Sequence, residues 1–153
     1  MNEKATAFQH SVPDSISILP REITRQELEE IYSDFDSLLI RDGIVPEKEI
    51  RHQYVAEQNG RIIGLASGLT HHQWFYLSDL WVREEYRGQG LGSHLLNLLE
   101  DHIRNLGIRH IYTWTSGPRN PIFYERHGYQ VFTVFEHYYG IDGYPQIGYR
   151  KDL

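Results

Sequence analysis

The chain has 153 residues, one domain's worth at the usual size of about 100–150, and its 40% hydrophobic and 13% aromatic content excludes a disordered polymer. It contains no cysteine, which removes disulfides, thiolate metal sites and cysteine nucleophiles together and makes a cytoplasmic setting the expectation. A formal net charge of −6 offers no broad cationic field to a phosphate backbone, no apolar run approaches the roughly 18–20 residues of a membrane span, and Met1-Asn2-Glu3-Lys4 does not begin a signal peptide, so neither nucleic acid nor membrane is an expected partner.

Residues 1–15 are polar and aperiodic, which predicts a loosely ordered lead-in, and residues 16–19 are expected as a short strand stopped by Pro20. Thr24 and Glu27 then form a capping box, and Leu28, Ile31, Phe35 and Leu38 recur at helical spacing, so an amphipathic helix runs from here and ends before Gly43 and Pro46. Asn59-Gly60 is the strongest short hairpin signal and joins expected strands at 51–58 and 61–70. A turn at 71–73 leads into an aromatic and aliphatic strand over 74–82. Leu91, Leu95, Leu98, Leu99, Ile103 and Leu106 mark a helix closed by Gly107.

A strand over 108–115 follows and is placed to lie parallel to the 74–82 strand. Residues 118–127 read as a short helix with Gly128 past its end, and 129–139 and 146–153 as a last pair of strands around Gly140, Gly143 and Pro145. The pattern is that of one α/β domain, residues 1–153, with a mixed sheet and flanking helices.

Arg87-Gly88-Gln89-Gly90-Leu91-Gly92 sits between a strand and a leucine-rich helix, where backbone amides can point at an anion and glycines let a diphosphate touch the main chain. A bland tight turn would use the same glycines. The nucleotide-binding rivals fare worse. A Walker-A loop needs Gly-Lys-Ser/Thr and this loop has no lysine, while a dinucleotide fingerprint needs Gly-x-Gly-x-x-Gly with an acid in the next strand, and residues 110–114 contain none.

Leu80-Trp81-Val82, then Arg87-x-x-Gly90-x-Gly92, then Phe123-Tyr124-Glu125-Arg126-His127-Gly128-Tyr129 occur in an order and spacing that resembles the GNAT superfamily of acetyl-CoA-dependent N-acetyltransferases, over residues 51–153. The resemblance implies a mostly antiparallel sheet whose fourth and fifth strands are parallel and splay apart around the pantetheine arm of acetyl-CoA, the cosubstrate. It places cofactor binding on Leu80, Trp81 and Val82 and, for the diphosphate, on Arg87, Gly88, Gln89, Gly90, Leu91 and Gly92. It assigns Tyr124 the protonation of the departing thiolate, a step open to a phenol with pKa near 10. No covalent enzyme intermediate is implied, in keeping with the missing cysteine.

Two positions depart from the family pattern. Tyr76 stands where many members carry a glutamate base, and Gly117 where many carry an asparagine, with Asn120 offset from it. Asp79, at the strand end nearest the expected thioester, is the first choice for a base or amine-orienting carboxylate, against the alternative of a solvated aspartate; His71 and His72 are better explained by a polar turn. The nine histidines form no metal-ligand spacing, so no metal is expected. Transfer of acetyl to a small-molecule or protein amine is the implied function, with a non-catalytic acyl-CoA-binding or sensing module as the alternative. Tyr138, Tyr139, Tyr144 and Tyr149 are open to roles in the core, an acceptor wall or a homodimer contact.

Overall fold

The computed structural model describes residue 13 and residues 15–153; the lead-in expected over 1–15 lies outside the described residues except at Pro13 and Ser15. The chain divides into two compact units, Met1–Pro46 and Glu47–Leu153. Within the first, residues 16–19 are not a strand. They are bracketed by Pro13 and Pro20, the amide of Ile16 turns back to the Pro13 carbonyl at 2.9 Å, and no neighbouring strand edge receives them among the described residues, so β-favouring side chains alone do not suffice. Helix α1 (Arg25–Arg41) starts as the sequence dictates. The Thr24 hydroxyl accepts from the Glu27 amide at 3.2 Å, and the Glu27 carboxylate accepts from the Thr24 amide at 2.8 Å.

The second unit contains β1 (Ile50–Gln58), β2 (Arg61–His71), β3 (Trp74–Val82), α2 (Leu91–Asn105), β4 (His110–Ser116), α3 (Asn120–Arg126), β5 (Gln130–Phe135) and β6 (Gln146–Asp152). The six strands form one sheet in the order β1-β2-β3-β4-β6-β5, with β3 and β4 parallel and every other pairing antiparallel. Asn59 and Gly60 both take positive φ, 51° and 73°, as a two-residue hairpin turn requires. The β5 strand ends at Phe135, not at 139. His137, Gly140 and Gly143 all have positive φ, and the Gly140 amide closes onto the His137 carbonyl at 2.8 Å, so successive turns pull the chain off the ladder.

One face of the sheet is seated on α2. Leu96, Leu99 and Ile103 are wholly buried with Phe75 and Ile111, and Leu95 and Leu77 are nearly so. Each such side chain contributes about 1.5–3 kcal/mol by leaving water. A Cβ on Gly64 would stand 2.8 Å from the Leu95 side chain, so the glycine permits the helix to lie this close to β2. Further along, the buried Glu100 carboxylate accepts from the Tyr129 hydroxyl at 2.9 Å and from the Lys151 ammonium at 2.6 Å, tying α2 to β6.

The sheet's central irregularity opens the site. Ser67 pairs with Asp79 and Gly68 with Leu77, so Ser78 is an extra residue in β3, a β-bulge. The parallel pairing of β3 with β4 runs from Trp74 opposite His110 to Leu77 opposite Thr113 and stops there. Past the bulge β3 follows β2 while β4 follows β6, and the two strands part.

Candidate active site

A cavity of about 480 Å³ occupies the gap. Its walls are Ser78, Leu80 and Val82 from β3, Thr113, Trp114 and Thr115 from β4, residues of the loop and first turn of α2, and Phe123 and Tyr124 from α3. The bulge decides which side of β3 faces this space. Plain alternation onward from buried Leu77 would put Asp79 and Trp81 on the core side; one extra residue puts Leu80 and Val82 there. Main-chain groups of β3 beyond Leu77 and of β4 beyond Thr113 no longer pair with each other, which leaves hydrogen-bonding edge groups toward the gap.

At one end the cavity meets the N-terminus of α2. Gly90 is its N-cap residue in the left-handed region at φ +83°, and Gly88 has φ +73°. No side chain caps this helix and its first turn holds no acid, so the amides of Leu91, Gly92 and Ser93 lack intrahelical partners. Such a terminus favours an anion by its orphan N–H groups and by its dipole. Arg87 lines the cavity while its Nε donates to the Val82 carbonyl at 2.9 Å, which fixes the loop to the end of β3.

Tyr124 is buried, stacked on Tyr149 at 5.6 Å between ring centroids and edge-on to Phe123 and Tyr129. Burial, the larger effect, raises its phenol above the usual tyrosine value, and neighbouring Thr113 works the other way. The group therefore holds its proton at neutral pH. Thr113 in turn donates to the Leu77 carbonyl at 2.9 Å, at the last paired position before the strands part. Tyr149 is a different case. Its hydroxyl is committed to Glu125 at 3.0 Å, and burial followed by that carboxylate pushes it up to about 12.

Of the residues singled out in the sequence, Leu80, Val82, Arg87, Gly88, Gly90, Leu91, Gly92 and Tyr124 line one cavity. Trp81 points elsewhere and lies under the Arg83 guanidinium at 5.5 Å. Gln89 is turned back, its amide donating to the Glu85 carbonyl at 3.1 Å. Asp79 is exposed and does not line the cavity, but it accepts from the Ser78 hydroxyl at 2.6 Å, and Ser78 does. Arg51 stands 3.7 Å from the same carboxylate oxygen. Tyr76 is stacked on Tyr112 at 5.0 Å. Sequence reasoning did not select Ser78, Thr113, Trp114 or Thr115, whose place here depends on the bulge and on the parallel register. Asn120, offset from the family's asparagine position, also lines the cavity, with its amide donating to the Ser116 carbonyl at 2.8 Å.

Comparison with known proteins agrees with this fold. A crystal structure of an acetyltransferase from Bacillus cereus superposes with a TM-score of 0.74 at 26% identity, covering 89% of this chain and 98% of that one. Among curated proteins, an acetyltransferase of Agrobacterium fabrum is 32% identical over 75 residues, 49% of this chain and 55% of its own length. The blasticidin-S acetyltransferase of Streptomyces morookaense is 32% identical over 87 residues, 54% of this chain and 62% of its own. The matches thus span a little over half the length of these curated relatives. The family model described as acetyltransferase (GNAT) family matches residues 18–129, most of the chain, and the chain belongs to that family.

Proposed function

We propose that the chain acts as one N-acetyltransferase domain that moves acetyl from acetyl-CoA to a primary amine by direct attack. The observation that carries this reading is the parting of β3 and β4 over a cavity that ends on an uncapped helix N-terminus. The walls fit a long, flexible thiol carrier with an anionic end: strand-edge main chain for amide groups, and glycines with free amides for a diphosphate. When bound, acetyl-CoA supplies the activated acyl group and a thiolate leaving group.

The protein's part is orientation and proton transfer. Main-chain groups at Leu80 and Val82 hold the pantetheine arm and meet the negative charge that develops on the thioester oxygen. As the C–N bond forms and the C–S bond breaks, the Tyr124 hydroxyl gives its proton to the sulfur. The acceptor, an ammonium in solution, loses one proton to water before it attacks, and the attacking nitrogen gives up a second through the Ser78 hydroxyl to Asp79, which is the role we assign to that carboxylate. Exchange with water then restores both groups. A cytoplasmic location suits a substrate of this kind and completes the proposal; among the described residues no helix is long and apolar enough to cross a membrane.

The test is release of free thiol from acetyl-CoA across a panel of amines, with Tyr124→Phe beside the parent. The variant keeps the ring packing and removes only the donor, so kcat falls by about 10²–10⁴-fold while acetyl-CoA affinity holds. A parent that binds acetyl-CoA but releases thiol with no amine is a sensor and not a transferase. An active parent whose phenylalanine variant turns over at full rate keeps the transferase and removes Tyr124 as its acid.

A further inference from the structure

Beyond the cavity, on the side away from the α2 loop residues, Trp114 begins a continuous run of aromatic rings. It meets Phe132 edge-on at 5.5 Å and Phe135 at 5.1 Å; Phe135 stacks toward Tyr138 at 6.4 Å, Tyr138 meets Tyr139 at 5.0 Å, and Tyr139 meets Tyr144 at 6.1 Å. The run is built by the backbone. Gly148 pairs with Trp114 across the ladder, and a Cβ there would stand 2.7 Å from the Phe132 ring, so only glycine lets that ring lie across β6 toward the tryptophan. Tyr144 closes the far end, its hydroxyl 3.0 Å from where a Cβ on Gly117 would be.

These rings are not core. Phe132, Phe135, Tyr138, Tyr139 and Tyr144 are between 42% and 57% exposed. Six contiguous aromatics that start in a catalytic cavity and face water form a surface for a flat apolar body. The charges nearby narrow the class further. The charged side chain among the described residues lining the cavity is Arg87, and in a smaller hollow bounded by Ser116, Gly117, Asn120 and Tyr144 it is Arg119. Neither lining contains a carboxylate, so a second ammonium group inside these hollows would be desolvated unpaired; the carboxylates beside the wall, Glu136 and Asp142, are exposed, and Asp142 lies 3.1 Å from His137. A single ammonium is received differently, over an aromatic face.

We infer that the Trp114–Phe135 wall binds the acceptor, and that the acceptor is a monoamine carried on one flat aromatic body. This rests on the transferase reading and specifies its substrate class. Thiol release is measured with phenethylamine, hexylamine and spermidine as probes. The expected order of kcat/KM puts phenethylamine first by about 10-fold or more. Phe135→Leu, which keeps apolar bulk and discards the ring, raises the KM for phenethylamine by about 3- to 10-fold and leaves the KM for acetyl-CoA where it was. Phe135→Ala with native circular dichroism enlarges the same effect. A preference for spermidine, or a phenethylamine KM indifferent to Phe135→Leu, overturns the aromatic-acceptor assignment while the transferase stands. Absence of thiol release with every amine, in a protein that binds acetyl-CoA by calorimetry, overturns the transferase reading and this inference with it.

Discussion

The two ends of the cleft are built from different materials. At the α2 end the working groups are main chain: amides of residues 91–93, a left-handed N-cap at Gly90, and a guanidinium spent on holding the loop to Val82. At the β5 end they are side chains, six rings on β4, β5 and the 136–145 loop, with the backbone reduced to making room at Gly148 and Gly117. A main-chain site is tied to a fixed geometry and suits a ligand that never varies. A side-chain site is changed by single substitutions without disturbing the ladder beneath it, and so suits the partner that differs from one family member to the next. On the function proposed above, donor binding falls to the backbone and acceptor binding to the side chains.

The contrast is sharpest if the two ends still fold as one body, and Glu100 is where that is tested. Its carboxylate on α2 is buried, and it holds Lys151 of β6 and Tyr129 just ahead of β5. Glu100→Ala leaves an ammonium and a phenol without their acceptor, at a cost of about 3–5 kcal/mol. Chemical denaturation followed by tryptophan fluorescence and by circular dichroism should shift by that amount in a single coincident transition. Separate transitions would show that the donor helix and the acceptor strands are held independently.

A smaller effect separates conformation from space at the donor end. A Cβ on Gly90 meets nothing within 4 Å, yet φ +83° strains any branched residue; a Cβ on Gly92 meets Val82 at 3.5 Å and Phe123 at 3.8 Å, ordinary contacts at an ordinary φ. Gly90→Val is expected to weaken acetyl-CoA binding by about 100-fold or more through the loss of the amide cradle, which isothermal titration measures directly. Gly92→Ala should fold normally and lose about 10-fold or less. Equal losses at both positions would mean that ligand clearance, not the left-handed cap, is what the glycines supply.

The same division explains what the sequence made legible. The α1 capping box, the Asn59-Gly60 hairpin, the Leu periodicity of α2 and the glycine loop ahead of it are local signals, each decided by residues within one or two turns of one another. The short strand at 16–19 failed because a strand needs a partner edge, which no local pattern supplies. Leu80, Trp81 and Val82 were treated as one stretch, since the extra residue at Ser78 that turns the first and third toward the cavity and the second away has no signature in side-chain type. The reading of Asp79 rests on its place at the strand end nearest the expected thioester, and its link to the cavity through Ser78 follows from the same bulge. Trp114 on β4 is separated from Phe132 and Phe135 on β5 by helix α3 in the chain, and only the sheet order β4-β6-β5 brings their rings together across Gly148.

The smallest expected effect concerns acid. His52 on β1 and His102 on α2 face each other with Nδ1 and Nε2 3.0 Å apart; the rings of Phe75 and Tyr54 flank the pair. Burial, and then His102, lower the His52 pKa from its ordinary 6.5, and its Nε2 is enclosed without a partner among the described residues. The folded protein therefore binds the His52 proton less readily than the unfolded chain does. Stability from this pair is intact above about pH 6.5 and declines as pH falls below it toward the lower folded pKa, because protons then favour the unfolded state. The pair joins β1 to the helix that carries the donor loop, whereas the aromatic wall stands on β4, β5 and the 136–145 loop, away from both histidines. Hydrogen exchange at pH 7.5 and pH 5.5 should accordingly show α2 amides losing protection before those of β5 and β6 in the parent. His52→Asn should remove most of that difference. Uniform loss of protection across α2 and β5 in the parent would mean that acid acts on the sheet as a whole, and that the two ends of the cleft, unlike in composition, are alike in stability.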